Sequence, residues 1–514
     1  MTHTSAGTGA PDVDVLIIGA GLSGIDAAAS LLRNNKDRSV AILEARDALG
    51  GTWDLFKYPG IRSDSDMFTF AFRWRPWESD TTLADGPLIK EYLTTVAAEE
   101  GVDDVIRYGH RVTAASWDSR TELWTISVEG PGVEGGTGTI TTRFLWNCSG
   151  YYDYHQGFQP TFPGVEEFEG TFLHPQFWPE DLDYTGKKVV IIGSGATAVT
   201  LVPAMANSGA EHVTMLQRTP TYIVSRPGKD PVAGGMKKVP LVGRLPFKGV
   251  RAKAAREALR WENLGLSLGL YLFAQRFPQR ARAFIRDSQI GQLTAREGGQ
   301  GFTREEATAF VDKHLNPPYD PWDQRLCAVP DGDLWRVIRN GSATIVTDHI
   351  KTLTPTGIEL ESGETLEADI IVSATGLNIK LFGGADITVD GEKIDPGETT
   401  AYLGTMLTHV PNFAFTIGYI NASWTLKADL VSAWVSNLLS DMTEHGHTVV
   451  RVTEPAQAGS RPLMDMKSGY LLRGAPGMPR QGDHGAYQAK QNYFIDMRRM
   501  APGDVHSDGH LAFG

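Results

Sequence analysis

A glycine-rich turn that occurs twice constrains this chain more than any other feature of its sequence. Each copy follows a short apolar run and precedes a stretch with helical spacing. The two copies read Gly19-Ala20-Gly21-Leu22-Ser23-Gly24 and Gly193-Ser194-Gly195-Ala196-Thr197-Ala198. A strand, such a turn and a helix in this order form the unit that binds a dinucleotide through its pyrophosphate. The sequence therefore predicts an α/β fold with two Rossmann-like, doubly wound dinucleotide-binding domains.

The residue at the end of the next predicted strand indicates which nucleotide the first turn binds. Glu44 follows Gly24 by twenty residues. A carboxylate at this place accepts hydrogen bonds from ribose hydroxyls and repels a 2′-phosphate, so the site is predicted to bind FAD or NAD. Gly51, Thr52 and Trp53 come shortly afterwards, as in flavoproteins whose chain wraps back over the flavin. This favours FAD.

The matching position after the second turn carries a cation. Arg218 follows Ala198 by twenty residues, and Thr219 comes next. A guanidinium beside a hydroxyl suits the 2′-phosphate of NADPH and serves the bare ribose of NADH poorly. The second turn is therefore predicted to bind NADPH. The alternative interpretation of Arg218 is a solvated surface residue.

Charge, cysteine content and the first residues exclude several classes of function. The 514-residue chain has a net charge of −13 and no basic run, which argues against a nucleic-acid partner. Cys148 and Cys327 are too far apart for the dithiol that a disulfide reductase needs near its flavin. Residues 1–10 lack the charged start and apolar run of a signal peptide. We therefore expect a cytoplasmic protein.

Residues 227–314 are rich in Arg, Ala and Leu at helical spacing. This predicts a helical insertion within the NADP-binding domain, residues 151–379, while residues 1–150 and 380–514 are predicted to form the FAD-binding domain. The longest apolar run, 264–274, is about half the length that spans a bilayer. We expect it to pack over the active site. Because arginines flank it, a helix that associates weakly with a membrane surface is the alternative.

Two further segments resemble fingerprints of the type I Baeyer–Villiger monooxygenases. Residues 168–179, FEGTFLHPQFWP, resemble the FxGxxxHxxxW/P fingerprint, and the stretch from Gly51 to Asp64 resembles the family's second fingerprint. The resemblance covers nearly the whole chain and is closest to the ethionamide-activating branch. It implies that His174, Trp178 and, in a DxxxxATG segment, Asp369 link the domains or support their movement rather than make bonds.

The resemblance also implies the chemistry. In this family NADPH reduces FAD, the reduced flavin forms a C4a-peroxide with O₂, and this peroxide converts ketones to esters or lactones. The peroxide must stay deprotonated, so a cation that delivers no proton is needed beside it. The resemblance assigns this role to Arg325, oriented by Asp64. It places Val112 at the flavin and Gln324, where many members carry lysine, at the NADP. Sulfide or thioamide oxidation is the expected side activity.

Two other functions remain open at this point. A flavin-containing monooxygenase that oxidises nitrogen or sulfur shares the same nucleotides and differs in whether the peroxide is protonated. A redox sensor that binds FAD and NADPH without turnover would also retain both glycine turns. The expected partners are a small ketone or sulfide and O₂. The sequence does not distinguish a monomer from a homo-oligomer.

Overall fold

The computed structural model describes residues 10–131, 136–230, 248–296, 301–455, 459–501, 505–506 and 508–514. These residues cluster into two compact units. Unit 1 contains the described residues of Met1–Asp54, Lys90–Asp153 and Ile379–Gly514, and unit 2 contains those of Leu55–Ile89 and Tyr154–Asn378.

Helices and strands are numbered along the chain. The helices are α1 (Leu22–Asn34), α2 (Thr52–Leu55), α3 (Met67–Phe70), α4 (Gly86–Glu99), α5 (Ala196–Asn207), α6 (Lys248–Arg276), α7 (Pro278–Thr294), α8 (Arg304–His314), α9 (Asp333–Arg339), α10 (Trp424–His445), α11 (Gly469–Gly474) and α12 (Tyr493–Arg499). The strands are β1 (Val13–Ile18), β2 (Val40–Leu43), β3 (Ile106–Arg107), β4 (Arg111–Asp118), β5 (Leu123–Glu129), β6 (Thr137–Asn147), β7 (Tyr152–Gly157), β8 (Thr171–Leu173), β9 (Lys188–Ile192), β10 (His212–Gln217), β11 (Ile223–Arg226), β12 (Cys327–Pro330), β13 (Ala343–Thr347), β14 (Ile350–Thr354), β15 (Gly357–Leu360), β16 (Thr365–Glu367), β17 (Ile370–Ser373), β18 (Leu377–Ile379), β19 (Asp386–Val389), β20 (Glu392–Lys393), β21 (Thr400–Tyr402), β22 (Met406–Leu407), β23 (Phe413–Phe415), β24 (Val450–Val452), β25 (Arg461–Pro462), β26 (Arg480–Gln481) and β27 (Leu511–Phe513).

Unit 1 is built on a mixed sheet in the order β20-β19-β4-β5-β6-β1-β2-β3, with β23 also paired to β6. Strand β1 lies parallel to β2 on one side and to β6 on the other. Apart from the half-buried Asp14, its residues are apolar and buried, as expected for a strand that neighbouring strands and a helix cover. Trp117, Trp124 and Phe413 pack together in the core of this unit. The carboxyl end of β1 therefore presents the first glycine turn from a rigid sheet.

Unit 2 repeats this design with a parallel sheet in the order β13-β10-β9-β17-β8. The chain passes from β9 through α5 to β10, and β9 pairs in parallel with β10 and β17. A second, antiparallel sheet, β14-β15-β16, contributes to a core with β9, β10 and β17. The predicted pair of Rossmann-like folds is confirmed.

Helices α6, α7 and α8 lie within the span predicted to be a helical insertion. Part of its predicted span, residues 231–247 and 297–300, lies outside the described residues. The insertion leaves unit 2 after β11 and returns before β12, and these two strands pair in parallel. The buried guanidinium of Arg260 on α6 donates to the backbone carbonyls of Phe68 and Ala71, at 3.4 and 2.8 Å.

The observed units differ from the predicted domains in one segment. The predicted cuts at 150 and 380 lie close to the observed ones, but residues 55–89 cluster with unit 2. The bonds from Arg260 to α3 give one reason. Gly60 gives another, because a Cβ there would lie 2.7 Å from Ala204 Cβ on α5. These long-range contacts leave no signal in local sequence patterns.

The apolar run 264–274 does not pack as uniformly as we expected. Leu264 and Ala274 are buried, but Leu266, Leu270, Leu272 and Phe273 are 53%, 40%, 52% and 41% exposed. Leu266, Leu270 and Phe273 are spaced by four and three residues, so these three share one face of α6. Much of the apolar surface of the run is therefore exposed.

Candidate nucleotide sites and the arginine–carboxylate centre

The first glycine turn joins β1 to α1 in unit 1. Gly19 has φ = +96°, and a Cβ there would lie 2.9 Å from the carbonyl oxygen of Cys148. A Cβ on Gly24 would lie 1.9 Å from the oxygen of Gly19. Gly21 caps α1 without a side-chain hydrogen bond, and Leu22 and Ser23 form the first residues of the helix. The turn thus brings free backbone N–H groups to a helix N-terminus, which suits a pyrophosphate.

Glu44 lies at the end of β2 and is buried beside this turn. Its carboxylate accepts from the backbone N–H groups of Ala20, at 2.7 Å, and Arg46, at 2.9 Å. Burial raises the pKa of Glu44, and the two backbone bonds oppose that rise. Each carboxylate oxygen keeps a further lone pair, so Glu44 can hold the turn and also accept from ribose hydroxyls.

The Gly50-Gly51 pair docks on the same turn. Gly50 has φ = +116° and donates its N–H to Ala20 O at 2.9 Å. Helix α2 then begins at Thr52 with the half-buried Trp53, and it contains the buried Asp54. The carboxylate of Asp54 pairs with Arg46 and Lys90. Burial raises the pKa of Asp54, but the bonds from Lys90 and Arg46 together lower it below its usual value. We did not predict this cluster.

Ser23 has a partner from the C-terminal part of unit 1. Trp424 Nε1 donates to Ser23 Oγ at 2.8 Å, and its ring stacks on Tyr151 with centroids 5.3 Å apart. A Cβ on Gly418 would lie 2.3 Å from the Trp424 ring. Trp424 is therefore fixed beside the first helical turn. Val112, the remaining residue predicted for the flavin, is buried on β4 within the core.

The second glycine turn joins β9 to α5 in unit 2. Gly193 has φ = +141°, and a Cβ there would lie 2.3 Å from Ala374 O. At Gly195 a Cβ would meet no described protein atom within 4 Å. Packing within the described chain therefore requires the first glycine but not the second. The open side of the second leaves room for the close approach of a pyrophosphate. Thr197 and the buried Ala198 lie in the first turn of α5.

Arg218 and Thr219 follow the carboxyl end of β10. Arg218 is exposed directly after the strand, and Thr219 is half-buried. Ser194 of the glycine turn donates through its hydroxyl to Thr219 O at 2.9 Å. The turn and the segment that carries Arg218 are therefore tied together. A cation held next to a helix N-terminus is suited to a nucleotide phosphate.

Asp64 interacts electrostatically with Arg325 in unit 2. Burial raises the pKa of Asp64 to about 6, against the pull of the guanidinium groups of Arg325 and Arg62 and a hydrogen bond from the backbone of Ala328. Arg325 is exposed in the loop between α8 and β12, and Gln324 beside it is half-buried. A carboxylate with this pKa is mostly ionised at neutral pH, so it can hold a guanidinium in place.

Arg62 is a member of this centre that we did not predict. Its Nη1 lies 2.7 Å from Asp333 Oδ2, and both side chains are largely buried. Burial raises the pKa of Asp333, and Arg62 opposes that rise. The centre therefore contains an inner arginine, held by Asp333, and an exposed arginine, Arg325, on the same carboxylate.

His174 lies within unit 2 at the predicted fingerprint. Its Nε2 lies 3.1 Å from Gly376 O, and its Nδ1 accepts from the N–H of Gln176 at 3.2 Å. Burial lowers the pKa of His174, opposed by the bond to Gly376. A neutral ring that donates from Nε2 satisfies both bonds. A Cβ on Gly157 would lie 2.1 Å from the ring, so this glycine makes room for it.

The other two fingerprint residues have structural surroundings. Asp369 accepts from the N–H of Lys188 at 2.8 Å, and its own carbonyl accepts from Thr171 N at 3.0 Å. It therefore ties together the starts of β8, β9 and β17. Trp178 is half-buried in an extended segment. A role for His174, Trp178 and Asp369 in linking the domains stays a prediction.

Comparisons with known proteins agree with the two glycine turns. Residues 86–236 match the family described as flavin-binding monooxygenase-like, and residues 17–77 match an NAD(P)-binding Rossmann-like domain. Two solved structures share the fold at low identity. An oxidised steroid monooxygenase bound to NADP has a TM-score of 0.72 at 21% identity, covering 98% of this chain and 99% of that one. A cyclohexanone monooxygenase has a TM-score of 0.71 at 20% identity, with the same coverage.

Curated relatives are much closer in sequence. The FAD-containing monooxygenase EthA of Mycobacterium tuberculosis is 47% identical over 97% of both chains. EthA of Mycolicibacterium smegmatis is 49% identical over 95% of this chain and 94% of the relative. The probable FAD-binding monooxygenase AlmA of Acinetobacter baylyi is 46% identical over 98% and 96%. The chain therefore belongs to the flavin-binding monooxygenases, in the EthA branch of the type I Baeyer–Villiger family that its motifs predicted.

Proposed function

We propose that this protein uses FAD, NADPH and O₂ to insert one oxygen atom into ketones, giving esters or lactones. The observation that carries the proposal is the Asp64 carboxylate coupled to Arg325 and Arg62 in a chain with two different dinucleotide turns. The relatives named as FAD-containing monooxygenases and the neighbouring structure named with NADP support the same cofactors. Sulfide or thioamide oxidation is the proposed side activity.

The first turn fits FAD. Gly21 leaves the N-terminus of α1 uncapped by a side chain, and Glu44 presents acceptors suited to ribose hydroxyls. A 2′-phosphate there would meet the negative charge of Glu44, so the site disfavours NADP. Reduced FAD bound there would supply the electrons that activate O₂.

The second turn fits NADPH, with Gly195 open toward a pyrophosphate and Arg218 available for the 2′-phosphate. If Arg218 contacts that phosphate, Arg218→Ala should reduce the preference for NADPH over NADH by at least about tenfold, a loss of roughly 1.4 kcal/mol. The ratio of kcat/KM for the two nucleotides measures this. An unchanged ratio would remove Arg218 from the site and leave Gln324 as the next candidate.

Arg325 is the proposed catalytic cation. A guanidinium keeps its proton at working pH, so it stabilises negative charge on the reacting oxygen without protonating it. Asp64 positions this cation as an ionised carboxylate. By comparison with other oxyanion donors, Arg325→Ala should cost about 3–4 kcal/mol in the rate of ester formation. Arg325→Lys retains the charge but can deliver a proton, so it should restore little ester formation.

Product analysis tests this role. Gas chromatography with a panel of ketones and sulfides measures ester and sulfoxide formation by the FAD-loaded enzyme and its variants. Arg120→Ala is the matched control, because Arg120 is an exposed arginine of unit 1 that pairs with the nearby Asp118. Ester formation by Arg325→Ala at the wild-type rate would contradict the assignment.

The alternatives give different products in the same assay. An N- or S-oxidising monooxygenase would form amine oxides or sulfoxides and no ester from any ketone. A redox sensor would bind both nucleotides but would not consume NADPH faster when a ketone is added. The Asp64–Arg325 pair supports the ketone reaction, because a fixed cation favours an unprotonated oxygen nucleophile.

We also propose weak association with an anionic lipid surface. Within the described residues, no helix is long and apolar enough to cross a membrane. Leu266, Leu270 and Phe273 form an exposed apolar face on α6, and the guanidinium groups of Arg276 and Arg280 lie 5.0 and 5.3 Å from the Phe277 ring. Apolar side chains flanked by cations are typical of surfaces that bind acidic lipid headgroups.

Sedimentation with vesicles tests this association. Binding to phosphatidylglycerol vesicles, little binding to phosphatidylcholine and loss of binding in Phe273→Ser would support it. Leu472→Ser, at another exposed apolar residue, should bind like wild type. Equal sedimentation of Phe273→Ser and wild type would contradict the proposal. For location, the free thiols of Cys148 and Cys327 support a reducing compartment, and we propose the cytoplasm.

A further inference from the structure

A cluster of metal-ligating side chains lies in unit 1 at the C-terminal end of α10. Asp441 and His445 are four residues apart on this helix and therefore share one face. His506 comes from the C-terminal segment. One ligand atom from each of the three residues lies within 4.8 Å of the others. Asp441 Oδ2 is 3.0 Å from His506 Nε2, and Asp441 Oδ1 is 3.4 Å from His445 Nδ1.

The backbone around the cluster is held from both sides. Gly446 ends α10 with φ = +72°, and the chain then enters β24. Strand β27 pairs with β24 in antiparallel register, with Val450 opposite Phe513. The Phe513 ring packs 4.4 Å from the ring of His506 and 5.0 Å from that of His447. The Phe513 ring of the strand pair therefore contacts His506 through packing, and the Asp441 carboxylate contacts its Nε2.

We propose that Asp441, His445 and His506 form a binding site for a divalent transition metal such as Zn²⁺. Two imidazoles and one carboxylate make a ligand set that first-row transition metals prefer, whereas Mg²⁺ and Ca²⁺ prefer oxygen ligands. The site is half-exposed, so water can complete the coordination. Metal binding requires His445 Nδ1 to give up its contact with the carbonyl of Asp441, now 3.0 Å away. The metal would crosslink α10 to the C-terminal segment.

This site does not depend on the monooxygenase function. None of its residues belongs to either glycine turn or to the Asp64–Arg325 centre, so substitutions should leave NADPH oxidation unchanged. A bound metal should raise the melting temperature, because it binds the folded chain and the ligands are far apart in the unfolded one.

Isothermal titration with Zn²⁺ tests the proposal. The sample is the FAD-loaded, full-length protein without a polyhistidine tag, treated with a chelator and then exchanged into metal-free buffer. We expect one Zn²⁺ per chain, with affinity reduced at least about tenfold in Asp441→Asn, His445→Gln and His506→Gln. His409→Gln is the matched control, since His409 pairs with Glu454 as a surface histidine outside the cluster. It should bind Zn²⁺ like wild type.

Two results would overturn the proposal. One is no saturable Zn²⁺ binding by the wild-type protein. The other is wild-type affinity in both His445→Gln and His506→Gln. FAD content and circular dichroism establish that each variant is folded. If His506→Gln fails to fold, the more exposed His445 decides the question, together with the Zn²⁺-dependent rise in melting temperature of the wild type.

Discussion

At the scale of single residues, Asp64 determines the expected pH dependence. Its pKa of about 6 lies above the usual value because burial outweighs the attraction of Arg325 and Arg62. Asp64 is thus ionised above pH 6 and loses its charge as the pH falls through 6, which releases Arg325. We predict that kcat/KM for ester formation falls on the acid side with an apparent pKa near 6. In Asp64→Asn this acid limb should be absent and the rate low at every pH.

The raised pKa of Asp64 affects stability in the opposite direction from activity: acid lowers the activity but stabilises the fold. A carboxyl group whose pKa is higher in the folded than in the unfolded state takes up its proton more readily when folded. Protonation of Asp64 therefore stabilises the fold as the pH drops from 6 toward 4. Loss of activity near pH 6 should not be accompanied by a lower melting temperature from this group. Parallel loss of activity and of the thermal transition would contradict the role of Asp64.

Residues within one motif were predictable, and residues paired across the chain were less so. Spacing from the glycine turns predicted Glu44, and the structure places it on the turn. Asp64 and Arg325 came from family resemblance, since no local pattern relates two residues so far apart. Arg62 with Asp333, and Asp54 with Lys90, were missed because only the folded chain brings these charges together.

At the scale of secondary-structure elements, the two glycine turns predict contrasting variants. In Gly24→Ala the new Cβ would lie 1.9 Å from Gly19 O. Helix α1 must then move away from β1, and the purified protein should contain little FAD. In Gly195→Ala the new Cβ meets no described protein atom within 4 Å. That variant should fold with full FAD content, and its KM for NADPH should rise at least about tenfold, because the methyl group blocks the pyrophosphate.

Absorbance at the flavin band and steady-state kinetics distinguish these two outcomes. A Gly195→Ala variant with the wild-type KM for NADPH would show that the pyrophosphate of NADPH does not approach this glycine. A Gly24→Ala variant with full FAD content would show that α1 tolerates the shift.

Helices α10 and α12 are joined by a buried ion pair. Lys427 Nζ lies 2.9 Å from Asp496 Oδ2, which also accepts from Tyr419 at 2.9 Å. Burial lowers the pKa of Lys427, opposed by Asp496. Lys427→Met leaves Asp496 buried without its cation and should destabilise the fold by about 3–5 kcal/mol. Thermal denaturation measures this, and Arg120→Ala, an exposed pair, should change stability by at most about 1 kcal/mol. Equal melting temperatures would contradict the buried pairing.

Composition predicted the secondary structure of the helical insertion but not its packing. Composition predicted helices in this region, and α6, α7 and α8 are observed there. Composition could not indicate that Leu266 and Phe273 face solvent while Leu264 is buried, because the exposed face is itself apolar. Nor could it reveal that β11 and β12, on either side of the insertion, pair with each other.

At the scale of the whole molecule, the sequence predicted two nucleotide-binding units, with cuts at 150 and 380 that lie near the limits of the two compact units. It placed residues 55–89 with the flavin turn that they follow in the chain, whereas they cluster with unit 2 and contact α5 and α6. Each unit combines segments distant in sequence. The duplicated glycine turn is a local pattern, so the sequence alone predicted it. The return of the C-terminal segments to unit 1 was predicted only from the resemblance to a known family.

In the proposed reaction, one atom of O₂ enters a ketone next to its carbonyl group. Incubation of the FAD-loaded enzyme with NADPH, a ketone and ¹⁸O₂, followed by gas chromatography and mass spectrometry, tests it most directly. We expect an ester or lactone that contains one ¹⁸O atom in the wild type, with its yield strongly reduced in Arg325→Ala. NADPH oxidation that yields only hydrogen peroxide across the ketone panel, with no labelled ester, would contradict it.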